Sequence, residues 1–205
     1  DISALIKGYT DRLDKSLQEV LGTSPRAFDG ERPLIRCSQR PLGRWLAALM
    51  RQATHAEVAL LNSGTIRASL PAGPLCRADL LRALPFPNEL MVLDLDAATL
   101  CAALERGLTA SAENEDGGYL QLAGLELSGE GLPPANVRFN GLPLDPGRRY
   151  RVVCSDFMSR GGDGYPMLKD QPALKTGLFL RDLLDQAVRE GQFPPNEEKE
   201  YPSPR

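Results

Sequence analysis

Tyr150-Arg151-Val152-Val153-Cys154-Ser155-Asp156-Phe157-Met158-Ser159-Arg160-Gly161-Gly162-Asp163-Gly164-Tyr165 joins an apolar run to a glycine-rich turn. Tyr150 to Cys154 reads as a buried strand. The nine residues from Phe157 to Tyr165 then hold three glycines, an acid and two aromatics. Glycines this dense permit positive φ and close backbone approach, so the chain is expected to turn sharply around something. Phe157 offers a ring face and Asp163 two acceptor oxygens, which suits a flat polar ligand. The competing reading is a strand followed by an ordinary surface turn.

Working outward, the neighbouring segments mix helical and strand patterns. Residues 1–21 carry an apolar stripe from Ile2 to Leu21 at helical spacing, with Gly22 as a stop. Residues 23–33 read as a loop, and Pro33 to Cys37 as a short strand. Pro41 to Gln52 is an expected helix with Leu42, Trp45, Leu46 and Leu49 on one face. Glu57 to Leu61 is a buried strand that ends in Asn62-Ser63-Gly64-Thr65-Ile66-Arg67. A short helix over Asp79 to Leu84 stops at Pro85-Phe86-Pro87-Asn88, where two prolines hold a phenylalanine rigidly. Glu89 to Leu95 alternates as a strand, and Asp96 to Leu108 repeats as a helix. Tyr119 to Leu127 alternates with a kink at Gly124, Asn140-Gly141 signals a hairpin, and Leu174 to Val188 is an expected final helix. Helices and strands alternate without a repeating βαβ unit, which argues an α+β domain. The Pro-, Glu- and Lys-rich end is expected to fray.

Composition narrows the function. The 205 residues suffice for one well-buried domain or two small ones. A net charge of -3 gives no basic field for a nucleic acid polymer, and no apolar run is long enough to span a membrane. The opening residues show no signal peptide, and a start at Asp1 reads as a fragment or processed product. Cys37, Cys76, Cys101 and Cys154 lack metal or redox spacing, and a disulfide among them stays open. His55 is the single histidine, so neither a histidine-rich metal centre nor a set of His-based nucleophiles is expected in this chain.

Four motifs stand in one order: Asn62-x-Gly64-x-Ile66-Arg67, Pro85-Phe86-x-Asn88, Gly118-Tyr119-Leu120-Gln121-x-x-Gly124 and Phe157-x-x-x-Gly161-Gly162-Asp163-Gly164-Tyr165. Together they resemble the C-terminal domain of the 5′-nucleotidase family, over roughly Leu34 to Leu168. The resemblance implies a four-layer α/β/β/α domain over residues 23–193. An interdomain linker helix over 1–22 would precede it, and a disordered tail over 194–205 would follow. It also implies a substrate-binding role, with the nucleobase sandwiched between Phe86 and Phe157. Asp163 would accept from ribose hydroxyls, Asn62 would reach the base or sugar, and Arg67 and Arg36 would face the phosphate. No metal is expected in this chain. Two divalent metal ions are implied in an N-terminal metallophosphoesterase domain of the same protein, so the chain alone is expected to be inactive.

By resemblance the compartment is periplasmic or extracellular. The same family admits UDP-sugar diphosphatases, 2′,3′-cyclic phosphodiesterases and a thiosulfohydrolase branch, the last suiting Phe157 and Asp163 least. A non-catalytic nucleoside-binding module is the alternative outside the enzymes. The chain departs from the family where it reads Gly43-Arg44-Trp45-Leu46-Ala47-Ala48 instead of Gly-Asn-x-x-x-Asp-Ala, and Arg40 adds a positive charge nearby.

Overall fold

The computed structural model describes Ile2 and residues 15–109, 116–127 and 135–195. Its centre is a five-stranded sheet of order β5-β2-β8-β4-β9. The strands are β2 (Val58–Asn62), β4 (Glu89–Asp96), β5 (Leu120–Ala123), β8 (Arg149–Ser155) and β9 (Ala173–Phe179). β2 and β8 run parallel, and every other neighbouring pair is antiparallel. All five residues of β2 are buried, because helices cover both faces of the sheet.

Alternation along the strands builds two separate cores. Ala59, Leu61, Leu90, Val92 and Val153 face one side, where α2 (Pro41–Thr54), α3 (Arg77–Ala83) and α6 (Leu180–Arg189) pack. Val58, Leu60, Leu93, Leu95, Val152 and Cys154 face the other, against α4 (Ala97–Leu108). The α2 stripe Leu42, Trp45, Leu46 and Leu49 is buried as its spacing requires. Asp96 caps α4 by accepting from the Thr99 amide at 2.7 Å.

Two ribbons complete the described strands. β1 (Val20–Ser24) pairs with β3 (Gly73–Cys76), and β6 (Glu126–Leu127) pairs with β7 (Val137–Arg138). The mixed α+β class is thus present. The strand pairing itself consists of one helix-covered five-stranded sheet and these two ribbons.

Three segments depart from the sequence reading. Most of the linker helix lies outside the described residues. Residues 15–17 are helical, but Val20 and Leu21 begin β1 instead of ending the helix. Gly22 is therefore no helix stop: a side chain there would run into the Val188 carbonyl of α6. Pro33 to Cys37 is not a strand, because Arg32–Ile35 forms one helical turn, α1, with proline in its first turn. Leu174 to Phe179 belongs to β9, and the final helix starts only at Leu180. Gly177, at φ 72°, cannot sit in a helix, and β9 completes the edge that β4 would otherwise leave open. Between β7 and β8 the expected tight turn is present: Asn140 and Gly141 take φ of 50° and 77°, and Phe139 bridges Leu142.

Candidate functional site

Register brings the four sequence motifs to one edge of the sheet. β2 and β8 run parallel and end there, at Asn62 and Ser155. β4 enters from the same edge, with Leu90 opposite Ser155, so the Phe86 loop lies beside the turn that carries Phe157. β5 also starts there, with Leu120 opposite Asn62. The carboxyl ends of parallel strands are where α/β folds collect ligand groups, since the backbone diverges there and leaves a crevice.

A chain of side-chain hydrogen bonds stitches this rim together. Asn88 Nδ2 donates to Thr65 Oγ1 at 3.3 Å, and Thr65 Oγ1 donates to Asn62 Oδ1 at 2.9 Å. Asn62 Nδ2 donates to Asp163 Oδ2 at 2.7 Å. Each amide and hydroxyl thereby orients the next, and the last one fixes a carboxylate. Asp163 itself has φ 52°, a left-handed conformation that is uncommon outside glycine and that aspartate and asparagine adopt more readily than most. Its Oδ1 has no hydrogen-bond partner among the described residues. A Cβ on Gly64 would lie 2.9 Å from Asp163 Oδ2, so a side chain there would displace the carboxylate.

The loop of Asp163 is held from below. Arg106, in the last turn of α4, donates from Nη2 to the Asp163 carbonyl at 3.0 Å and to Asp116 Oδ2 at 2.7 Å. Asp116 Oδ1 accepts from the Gly118 amide at 2.8 Å, and the Gly64 amide donates to the Gly117 carbonyl at 2.7 Å. The Tyr165 hydroxyl donates to the Gly118 carbonyl. Burial pushes the Tyr165 phenol well above its ordinary range, with the Arg106 charge acting the other way, so Tyr165 remains a neutral donor.

The six residues named from the sequence occupy distinct places. Phe86 and Phe157 are 44% and 43% exposed, large rings left open to solvent at the rim. Phe157 is the second residue of the short helix α5 (Asp156–Ser159), capped by Ser155, and rests on Gly162, where a Cβ would lie 2.5 Å from the ring. Arg67 is exposed and holds its guanidinium 5.1 Å from the Phe86 ring centroid. Asp163 is half-buried. Asn62, at 2% exposure, is buried behind Asp163 and binds it instead of facing outward.

Arg36, at 8% exposure, lies within residues 35–40. Gln121 fastens that segment to β5: its Nε2 donates to the Ile35 and Ser38 carbonyls and its Oε1 accepts from the Arg40 amide, all at 2.8 Å. Sequence reasoning missed Thr65, Arg106 and Asp116. Nothing in the spacing of Arg106 and Asp116 marks a contact, because the two lie on different segments, one in α4 and one ahead of β5. Among the described residues no three His, Cys, Asp or Glu side chains are grouped to hold a metal ion. His55 caps α2 in a left-handed conformation at the surface, and the four cysteines are free thiols. No helix among the described residues is long and apolar enough to cross a membrane.

A family model described as "5′-nucleotidase, C-terminal domain" matches residues 20–170. The chain is 30% identical to Protein UshA of Yersinia enterocolitica, covering 90% of this chain and 33% of that protein. It is 28% identical to a 5′-nucleotidase of Vibrio cholerae, over 87% of this chain and 32% of the relative. Among solved structures, a 5′-nucleotidase precursor from Thermus thermophilus superposes with a TM-score of 0.78 at 28% identity. That match covers 92% of this chain and 40% of the other. The chain thus spans about a third of the length of the curated relatives it matches.

Proposed function

The chain belongs to the 5′-nucleotidase family as its C-terminal domain, and on that premise we propose that it is the substrate-binding domain of a two-metal phosphohydrolase acting on nucleotides. One observation carries the proposal. Two solvent-open phenylalanines stand at the ends of neighbouring strands, beside a carboxylate in a left-handed turn, one of whose oxygens has no hydrogen-bond partner among the described residues. Exposed rings rimmed by polar groups mark a surface meant to be covered.

The parts divide the work by chemistry. Phe86 and Phe157 take the faces of the base, a contact worth about 1–3 kcal/mol per base that tolerates base identity. Arg67 already covers part of Phe86, so the base takes what that guanidinium leaves open. Asp163 accepts from the ribose diol through Oδ1, while Asn62 serves this chain by orienting Oδ2. Arg67 and Arg36 supply planar donor forks for phosphate. The described residues group no metal ligands. In this reading the metal ions that would activate water belong to another part of the longer protein, and this chain alone is expected to be inactive. Outside the cytoplasm, in a periplasmic or extracellular setting, such a domain would serve nucleotide catabolism.

Ligand-observed NMR on this chain with millimolar adenosine, AMP, uridine and UDP-glucose tests the assignment. Binding that Phe157→Ala and Asp163→Ala each abolish is the expected result. No binding of any of the four by a folded sample refutes it.

A further inference from the structure

Arg106 stands outside every motif the sequence singled out, yet among the described residues its guanidinium touches both loops beneath Asp163. Its Nη2 bridges the Asp163 carbonyl and the Asp116 carboxylate, at 3.0 and 2.7 Å. Its guanidinium lies 5.7 Å from the Tyr165 ring centroid. A Cβ on Gly164 would lie 2.6 Å from Arg106 Nε, and one on Gly118 would lie 2.7 Å from Nη2, so both loops have glycine where the side chain passes. Its two anchors are the loop that carries Asp163 and the loop whose Gly117 packs against Gly64.

We infer that Arg106 is a positioning residue for ribose recognition: it pins the left-handed turn of Asp163 so that the free carboxylate oxygen meets the sugar hydroxyls. This rests on the reading of Asp163 given above. A left-handed aspartate between two positive-φ glycines, Gly161 and Gly164, has many conformations open to it once unpinned. The Asn62 bond alone holds one oxygen of the side chain, whereas Arg106 holds the backbone. Phe86 depends on neither, being placed by its proline-flanked loop, and Phe157 is placed chiefly by α5, meeting the turn only where its ring rests on Gly162. Losing Arg106 should therefore weaken recognition of the diol more than recognition of the base.

The test compares adenosine with 2′,3′-dideoxyadenosine, titrated by ligand-observed NMR into the 205-residue chain, Arg106→Ala, Arg106→Gln and Asp163→Ala. Hydrogen bonds to a charged group support an adenosine preference of about tenfold or more in the unmodified chain. In the Arg106 variants that ratio is expected to fall to about threefold or less, with dideoxyadenosine affinity changed far less than adenosine affinity. A merely structural role would lower both ligands together and leave the ratio intact, which overturns the inference while the reading of Asp163 stands. An unmodified chain that does not distinguish the two ligands, or an Asp163→Ala variant that still does, overturns both. Arg106→Gln preserves a donor and most of the stem, and decides the matter if Arg106→Ala does not fold.

Discussion

Replacing Gln121 by leucine should destabilise the chain by about 3 kcal/mol, although leucine is apolar and close in size. Gln121 is fully buried, and its amide satisfies three backbone groups: the Ile35 carbonyl, the Ser38 carbonyl and the Arg40 amide. Each group left unpaired out of water costs about 1–3 kcal/mol. Residues 39 and 40 are only half-buried and give water a route to the joint, which puts each loss at the low end and the sum at about 3 kcal/mol. With a urea slope of about 2 kcal/mol/M for a chain of this size, the unfolding midpoint should drop by about 1.5 M.

Gly43→Ala offers a second route to the same joint, because a methyl there would overlap the Gln121 side chain. Alanine is worth about 1 kcal/mol over glycine inside a helix. A net loss of stability in that variant therefore isolates the clash. Because the released segment carries Arg36, AMP affinity should fall more than adenosine affinity in both variants. A Gln121→Leu midpoint within about 0.5 M of the unmodified chain would refute the reasoning.

Three further outcomes follow from the geometry. Gly162→Ala should push the Phe157 ring from its seat and lower nucleoside affinity severalfold while leaving the melting temperature nearly unchanged, which paired binding and calorimetric measurements check. Asp79 is disfavoured by burial, but the Cys76 thiol and amide and the Arg82 guanidinium outweigh this and hold its carboxyl below the usual range. A depressed carboxylate contributes stability above its unfolded pKa and loses it as pH falls through the folded value. Asp79→Asn should accordingly be less stable than the unmodified chain at pH 7, and the gap should close below about pH 4 in parallel urea titrations. Burial raises the Cys154 thiol to about 12, so iodoacetamide at pH 8 should spare Cys154 in the folded chain and modify it after unfolding, as peptide mass mapping would report.

Much of this fold was legible because the decisive segments have one strong period each. β2, β4 and β8 read as strands from unbroken or alternating apolar runs. α2 and α4 read as helices from stripes at three and four residues. The failures have a common origin in short apolar runs whose state is chosen by tertiary partners. Leu174, Leu178 and the leucines after them match a helical stripe, yet the open edge of β4 and the positive φ of Gly177 draw residues 173–179 into the sheet. Pro33 to Cys37 is too short for any period to decide. At the rim, the sequence pointed to Phe86, Phe157, Asp163, Asn62, Arg67 and Arg36, and the fold brings the motifs of the first five to one end of the sheet. What it could not indicate is direction. Nothing in the order of residues says that Asn62 turns inward to hold Asp163, or that Arg106 arrives from the end of a helix 57 residues away.

The hydrogen bond from Asn62 to Asp163 joins residues 101 apart in the chain, across the parallel pair of β2 and β8. The rim therefore has no existence in a half-folded chain: it appears only once β2 and β8 have closed beside each other. Occupancy at the rim and integrity of the sheet are thus linked equilibria. A compound bound there must raise the unfolding free energy of the whole domain by RT ln(1 + [L]/Kd), about 2.7 kcal/mol at a hundredfold excess over Kd. A thermal-shift screen of nucleosides, nucleotides and sugar nucleotides would consequently rank ligands for this chain without any turnover to follow.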